Sequence, residues 1–291
     1  MMAMTHLIAA PILLPLLTAA IMLMLGEKHR PLKAKINLFS SLVGLFISVM
    51  LLQWTQTTGV PGSIGVYLPG NWQAPFGIVL VVDRLSALML VLTSMVGLAS
   101  ALFASARWHR AGVHYHPLFQ FQLMGLAGAF LTADLFNLFV FFEIMLAASY
   151  GLLLHGSGRQ RVQAGLHYIA INLAASSLFL VGVSMLYGIT GTLNMADLAR
   201  AIPQVHEADR GLLHAAAGIL GTAFGGNRIG RAASHTLTIL GVLIAFVISA
   251  FTLKSVAMDG ASFNATIYDW MVVGGLKMEV GFMVDGLTAM M

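Results

Sequence analysis

The stretch LFNLFVFFEIMLAASYGLLL, residues 135–154, is almost continuously apolar and carries one acidic side chain, Glu143, near its centre. A run of about 20 apolar residues is what a helix needs to cross the hydrocarbon core of a bilayer. Similar runs recur along the whole chain, in which 58% of the residues are hydrophobic and 9% are charged. The sequence therefore predicts an all-α polytopic membrane protein with the lipid bilayer as its solvent.

Eight apolar runs are predicted to span the membrane, and a partial ninth begins near Val280. Their approximate bounds are His6–Leu25, Asn37–Trp54, Leu85–Ala106, Pro117–Ala133, Leu135–Leu154, Val162–Tyr187, Leu212–Phe224 and Ala233–Val256. Between them, residues 55–83 and 257–283 mix Gly, Pro and β-branched residues, and each segment predicts a β-hairpin at the membrane surface. Residues 194–205 predict a short interfacial helix capped by Asn194.

Positive charge sets the expected orientation. The loops after spans one, three, five and seven carry Lys or Arg clusters that begin at Lys28, Arg107, Arg159 and Arg228. Since such loops stay in the cytoplasm, we expect an extracytoplasmic amino terminus and a multi-pass protein of the bacterial inner (plasma) membrane. The first run is not expected to be a cleaved signal peptide, because its positive flank follows it.

A short pattern, V-D-x-L-[ST]-A-x-M, occurs twice, at Asp83 and again at Asp285. Four apolar runs follow the first copy, whereas the chain stops soon after the second. A half-span would leave backbone polar groups unsatisfied in lipid. The repeat therefore predicts one partial unit followed by the opening of a second, with both aspartates as helix caps.

Glu143 is the main candidate for function. It is the ninth residue of its run, about 13 Å of helix from the edge and thus close to the bilayer midplane. Acidic residues at this depth are rare, costly and usually functional. A carboxyl group that water can reach there is suited to carrying protons, and Tyr150 follows on the same helix face. The alternative is a structural acid hydrogen-bonded to a neighbouring helix.

Several strings resemble a known family. Residues 1 to about 224 resemble the amino-terminal part of the D subunit of the multisubunit (Mrp or Pha type) monovalent cation/proton antiporters, through VVDRLSALMLVLTSMVGLASALFA, LTADLFNLFVFFEIMLAASYGLLLHG and RVQAGLHYIAINLAASSLFLVGVSMLYGITGTLNMADLA. Residues from about 225 to 291 resemble the start of the L-type antiporter-like subunit of proton-pumping NADH:quinone oxidoreductase, through YDWMVVGGLKMEVGFMVDGLTAMM. The resemblance implies two domains, 1–224 and 225–291, joined near Gly225.

The resemblance also implies a role for Glu143. In the family, a glutamate of the fifth span pairs with a lysine of the seventh, and Glu143 matches that glutamate. The seventh run here, GLLHAAAGILGTAF, contains no lysine. The lysines of the chain are predicted to lie in loops or at span ends: Lys28, Lys33, Lys35, Lys254 and Lys277. A relay that works by separating an ion pair is therefore not expected.

Other polar residues are weaker candidates. His167 is either a proton relay or an interfacial histidine bonded to a loop, and His214 would partly replace the missing cation. Ser177 would add to a polar axis, although contact between helices is the default for such hydroxyls. Asp134 is expected to be an N-cap. His109, His114 and His116 suggest a metal site or, more plainly, a solvated cytoplasmic turn.

Three functional hypotheses follow. The chain is a membrane subunit or fragment of an Na⁺ or K⁺/H⁺ antiporter that carries protons through Glu143 beside other subunits. Alternatively, it is an antiporter-like subunit in the membrane arm of NADH:quinone oxidoreductase, or an inactive fusion or truncated product. In none of them does the chain hold a cofactor, a metal or a catalytic residue. The absence of cysteine excludes disulfides and thiolate metal sites, and the scattered basic residues do not favour nucleic-acid binding.

Overall fold

A computed structural model describes residues 2–26, 29–57, 64–72, 75–106, 112–156, 158–225, 263–273 and 276–284. Within these residues the chain is mostly helical. The helices are α1 (Met2–Leu7), α2 (Ala10–Met24), α3 (Arg30–Thr57), α4 (Arg84–Ala106), α5 (Tyr115–Leu131), α6 (Leu135–Leu153), α7 (Arg159–Thr190), α8 (Met195–Ala201) and α9 (Arg210–Gly225). The strands are β1 (Gly65–Tyr67), β2 (Leu80–Val82), β3 (Phe263–Val273) and β4 (Leu276–Val284).

Four of the described helices, α3, α4, α6 and α7, are long and apolar enough to cross a bilayer, and α2 is a shorter apolar helix. The class of helical membrane protein is thus confirmed, whereas the number of eight spans stays a prediction. The span expected at 233–256 lies outside the described residues. The ninth span was expected to begin near Val280, but this is wrong for residues 280–284, which belong to strand β4.

The first predicted span is broken in two. Helix α1 ends at Leu7 and α2 begins at Ala10. Pro11 lies in the first turn of α2, where a helix tolerates a residue without an N–H group. Without that N–H, Pro11 cannot donate the hydrogen bond that would continue the preceding helix. The prediction of an unbroken span from His6 was therefore wrong, because the apolar run continues through residues 8 and 9, where the helix is interrupted.

Both predicted hairpins are present. Strands β1 and β2 pair antiparallel, with Val66 opposite Val81. Strands β3 and β4 pair antiparallel over a longer register, from Phe263 opposite Val284 to Val273 opposite Leu276. In both sheets each strand pairs along one edge only, because the sheets have two strands.

The chain divides into two compact units, Met1–Phe224 and Gly225–Met291. The first unit holds helices α1–α8 and α9 as far as Phe224, while the second holds the β3–β4 hairpin. This division rests on packing alone. The predicted origin of the two parts in two families therefore stays a prediction.

Helices α5 and α6 approach each other closely at two glycines of α5. A Cβ atom on Gly125 would lie 2.9 Å from the backbone nitrogen of Met145 and 2.8 Å from its Cβ. A Cβ atom on Gly128 would lie 2.1 Å from the ring of Phe141. Small residues allow such close packing between membrane helices, where burial of apolar surface gives little driving force.

We expect Gly125→Ala to push α5 and α6 apart, because the added methyl group meets the backbone of α6. Overpacking of this kind costs about 1–3 kcal/mol. The thermal unfolding of the detergent-purified chain measures the effect. Gly188→Ala on α7 is the matched control, since nothing lies within 4 Å of its Cβ position. Equal unfolding temperatures for the two variants would contradict the close packing.

The start of α4 is held by a reciprocal pair of hydrogen bonds. The backbone N–H of Ser86 donates to Oδ1 of Asp83 at 2.7 Å, and the backbone N–H of Asp83 donates to Oγ of Ser86 at 2.8 Å. The predicted capping role of Asp83 is confirmed, and the same role at Asp285 lies outside the described residues. The hydrogen bond from the Ser86 backbone holds the pKa of the Asp83 carboxyl below its ordinary value.

This lowered pKa predicts a pH-dependent contribution to stability. Because the folded state prefers ionised Asp83, its stabilisation is complete above the ordinary pKa of 3.8 and is lost as the pH falls through the lower folded value. Asp83→Ala should cost about 1 kcal/mol at pH 7, and almost nothing at pH values below the folded pKa. Chemical denaturation at several pH values tests this, and a cost independent of pH would contradict it.

Candidate proton-binding site

Helix α6 begins at a well-defined cap. The backbone N–H of Asn137 donates to Oδ1 of Asp134 at 2.9 Å, which confirms Asp134 as the N-cap. The side-chain amide of Asn137 also donates to Oγ1 of Thr132 at 2.9 Å. All three side chains are buried. The first turn of α6 is therefore fixed by polar contacts on both sides of its start.

The segment at the start of α8 holds the same turn. The N–H of Leu135 donates to the carbonyl of Leu193 at 3.0 Å, and the N–H of Met195 donates to the carbonyl of Ala133 at 2.8 Å. Just beyond, Asn194 caps α8 by accepting from the N–H groups of residues 196 and 197, as predicted. These bonds fix where α6 starts, and through its rigid backbone they fix the depth of Glu143.

Glu143 is the ninth residue of the 19-residue helix α6 and so lies at its midpoint. Its side chain is half-buried. Its Oε1 atom is fully buried and finds no hydrogen-bond partner among the described residues. A buried carboxyl oxygen without a partner costs about 1–3 kcal/mol, which a bound proton, a cation or a water molecule would recover.

Glu143 lies at the edge between two faces of α6. One face packs on α5 through the buried Phe141 and Ala148. The second faces α7, where Phe139 stacks on Phe179 at 6.1 Å between ring centroids. At 100° per residue, Glu143 stands beside this second face and next to the exposed Ala147. Glu143 thus lies next to the side of α6 that packs on α7.

Between α6 and α7 lies a cleft of about 180 Å³. Its walls are mostly aromatic and aliphatic, but two polar side chains of α7, Asn172 and Ser176, also line it. Ser177, which was predicted to belong to the polar axis, is exposed and bonds the carbonyl of Leu173 at 2.8 Å. Ser176 therefore lines the cleft, and Ser177 does not.

Tyr150 links α6 to α7. It lies on the same side of α6 as Glu143, two helical turns away. The rings of Tyr150 and Tyr168 meet edge to face, with centroids 5.6 Å apart. Tyr168 was missed by the sequence reasoning, although it directly follows the candidate His167. Tyr168 lies four residues before Asn172 and therefore on the same face of α7, and this spacing could have identified it from the sequence.

The two histidine candidates are exposed and bond their own helices. Nδ1 of His167 is 3.0 Å from the carbonyl of Gln163, and Nδ1 of His214 is 2.6 Å from the carbonyl of Arg210. Neither contact joins the histidine to Glu143. Their predicted roles in proton transfer stay predictions.

The histidines near α5 correct an expectation. His116 was expected in a solvated turn, but it lies in the first turn of α5 with 3% of its surface exposed. It bonds Asn37 of α3 at 3.0 Å. His114 is exposed and His109 lies outside the described residues. Among the described residues, no group of three His, Cys, Asp or Glu side chains is arranged to hold a metal ion.

Lys33 also departs from expectation. It was predicted in a loop, but α3 begins at Arg30 and includes it, and only 1% of Lys33 is exposed. Helix α9 carries no lysine, as its sequence requires. A lysine of α9 therefore cannot be the ionic partner of Glu143.

A carboxyl group at the centre of an apolar helix, within a bundle of long apolar helices, defines the class of protein. The chain is a multi-pass helical membrane protein with one carboxyl group in the middle of an apolar helix. Residues 132–258 match the family described as "NADH:quinone oxidoreductase/Mrp antiporter, TM". This match includes Glu143 and runs across Gly225, so it does not separate the two predicted parts.

Two relatives carry the comparison further. The chain is 59% identical over 221 residues to the probable K(+)/H(+) antiporter D subunit of Rhizobium meliloti (strain 1021), covering 75% of this chain and 41% of that protein. It is 43% identical over 206 residues to the Na(+)/H(+) antiporter D subunit of Alkalihalophilus pseudofirmus, with 70% and 41% covered. The chain thus spans about two fifths of the length of these relatives.

A solved structure agrees with them. The structure of the Mrp complex from Dietzia sp. DQ12-45-1b superimposes with a TM-score of 0.65 at 34% identity, covering 77% of this chain and 40% of that chain. Together the comparisons show that the greater part of this chain is similar to antiporter D subunits. The resemblance to the D subunit that the sequence indicated is thereby confirmed, while the added L-type segment is not.

Proposed function

We propose that the chain is a membrane component of a monovalent cation (Na⁺ or K⁺)/proton antiporter, and that Glu143 takes up and releases the proton. One observation carries the proposal: a carboxyl group at the midpoint of α6 has a buried oxygen without a hydrogen-bond partner among the described residues. The relatives named as antiporter subunits support the transport class.

The geometry explains why a proton would bind and leave. An ionised carboxylate at mid-membrane costs roughly 2.5–3.5 kcal/mol on insertion scales. Binding a proton removes that charge, whereas an approaching cation or water molecule compensates it. Whether Glu143 is protonated or ionised therefore depends on whether a cation or a water molecule lies on its α7 side. This is the coupling that an exchange of protons for cations requires.

Tyr150 and Tyr168 extend the polar surface from Glu143 along α6 and α7. Their edge-to-face contact places two rings, each with a hydroxyl group, next to each other. With Asn172 and Ser176 in the adjoining cleft, they give internal water several hydrogen-bonding partners. We infer that these groups line the route by which Glu143 exchanges its proton.

Replacing the carboxyl group tests the role of Glu143. In inverted vesicles from an antiporter-deficient host, the chain should collapse part of an imposed ΔpH when Na⁺ or K⁺ is added, because proton release from Glu143 couples to cation entry. Glu143→Gln should reduce this to the level of vesicles without the chain. Ser149→Ala is the control on the same helix, since its hydroxyl bonds only the carbonyl of Leu146.

A second readout does not depend on transport. Infrared difference spectra between two pH values should show a protonated carboxyl band that disappears in Glu143→Gln. If the band persists in Glu143→Gln, or if Glu143→Gln keeps cation-dependent ΔpH collapse, the role of Glu143 is wrong. A band that depends on Glu143, without transport by any variant, identifies the proton site of a chain that is inactive alone.

A second function has one observation in its favour. The matched family includes subunits of NADH:quinone oxidoreductase as well as antiporter subunits. The chain would then move protons in a membrane arm beside other subunits. Affinity purification from the native membrane distinguishes the two, because NADH-oxidising activity would accompany only the redox assembly.

We also propose that the amino terminus is extracytoplasmic and that the chain lies in a bacterial inner membrane beside other antiporter subunits. The sequence has no cysteine, so single cysteines report orientation without a background. His29 and Ile64 are exposed at opposite ends of α3. On intact cells without an outer-membrane barrier, an impermeant maleimide should label Ile64→Cys, whereas His29→Cys should react only after permeabilisation. The reverse pattern would overturn the orientation.

A further inference from the structure

Helix α3 is polar on its buried face and apolar on its exposed face. Its exposed residues include Phe39, at 70% exposure, and Phe46, at 65%. Its buried side chains recur every three, four or seven residues and are mostly polar: Lys33, Asn37, Ser40, Ser41 and Ser48, each no more than 5% exposed. From Lys33 to Ser48 the polar face covers 16 residues, or about 22 Å of helix.

Neighbouring helices meet this face with polar groups of their own. Nε2 of Gln120 on α5 donates to Oδ1 of Asn37 at 2.7 Å. Nδ2 of Asn37 lies 3.0 Å from Nδ1 of His116. Since this amide nitrogen is a donor, Nδ1 of His116 accepts, and the histidine carries its proton on Nε2. The three side chains form one connected group between α3 and α5.

Two hydroxyl pairs continue the polar face. Oγ1 of Thr18 on α2 is 2.9 Å from Oγ of Ser40, and Oγ of Ser94 on α4 is 3.0 Å from Oγ of Ser48. Between these pairs lies a cavity of about 30 Å³. Its polar lining consists of Ser40, Ser41, Ser48, Thr93, Ser94 and Gln120.

Contact between helices is the ordinary role of such hydroxyls, but it does not account for the cavity. A cavity of 10–15 Å³ or more can hold a water molecule if two to four polar groups face it, whereas cavities that stay empty are apolar. Here six polar side chains face the space. Pro11 and Pro15 of α2 also line it, and Pro15 has no N–H to offer the carbonyl of Pro11.

An apolar layer interrupts the polar face, which resumes at the buried Thr55. One turn beyond Ser48, Leu51 is fully buried and clusters with Ile12 and Leu90. At the other end, Lys33 and His116 lie in the first turns of α3 and α5, at the helix ends predicted to be cytoplasmic. Both residues are almost fully buried, so their side chains cover this end of the polar face.

We propose that the cavity between α2, α3, α4 and α5 belongs to an internal-water site, a hydrated vestibule that water reaches past the covering side chains of Lys33 and His116 and that closes at Ile12, Leu51 and Leu90. Its ligand is water, held by the hydroxyl and amide groups of the polar face. The vestibule carries water and exchangeable protons to the depth of Ser48. It is separate from Glu143, because Gln120 and His116 lie on the α3 side of α5, whereas Gly125 and Gly128 contact α6.

Single cysteines test the hydration of each position. Methyl methanethiosulfonate is small, neutral and membrane-permeant, so access does not limit it, but it reacts with the thiolate, which forms only where water is present. Ser41→Cys and Ser48→Cys probe the vestibule. Phe46→Cys, on the lipid-facing side of the same helix, and Leu51→Cys, in the apolar layer, are the controls. Residual thiols are counted after denaturation with a maleimide that shifts the band on a gel.

We expect the two vestibule cysteines to react at least about tenfold faster than the two controls, which corresponds to one pKa unit of thiolate formation. Equal and slow rates at all four positions would show dry polar packing and overturn the proposal. Fast reaction at Phe46→Cys would overturn the proposal too. Fast reaction at Leu51→Cys would show that the vestibule does not close at the apolar layer.

Each rate is divided by the rate of the same variant in denaturant, and only variants that elute as the parent chain are compared. Ser94→Cys on α4 replaces Ser48→Cys if that variant fails to fold, since the two hydroxyls face each other. A dry result leaves the proton-binding role of Glu143 untouched.

Discussion

Lipid offers no hydrogen bonds, and this single constraint arranges both polar parts of the protein. A polar side chain within a span must face another polar group or internal water. On α3 the rule turns Asn37 and Ser48 inward and leaves Phe39 and Phe46 outside. On α6 it is not fully met, because one oxygen of Glu143 has no hydrogen-bond partner among the described residues. The exception marks the candidate site.

The sequence predicted the existence of the long helices well, because apolar length is their strongest signal. The run Leu85–Ala106 became α4, Arg84–Ala106, and the run Leu135–Leu154 became α6, Leu135–Leu153. The sequence also predicted the capping residues Asp83, Asp134 and Asn194, since a side-chain hydrogen-bond acceptor directly before an apolar run commonly caps the start of a helix. The break between α1 and α2 was not, because hydropathy alone ignores Pro11.

The polar face of α3 was missed for a physical reason. The predicted span began at Asn37, where the continuous apolar run starts, whereas the helix begins at Arg30. Helices extend past the apolar core of the bilayer into its interface, so Lys33 counted as a loop residue although it is helical and buried. The spacing of Lys33, Asn37, Ser41 and Ser48 along one face held the missing information. A search for polar rather than apolar periodicity would have found it.

Helix α5 separates the two polar regions and serves each with a different face. Toward α6 it presents Gly125 and Gly128, which allow backbone contact and leave no room for water. Toward α3 it presents His116 and Gln120, which require polar partners. The close packing of α5 on α6 therefore separates the α3 side from Glu143 sterically. It does not shield charge, because electrostatic interactions are stronger in a protein interior of low dielectric constant than in water.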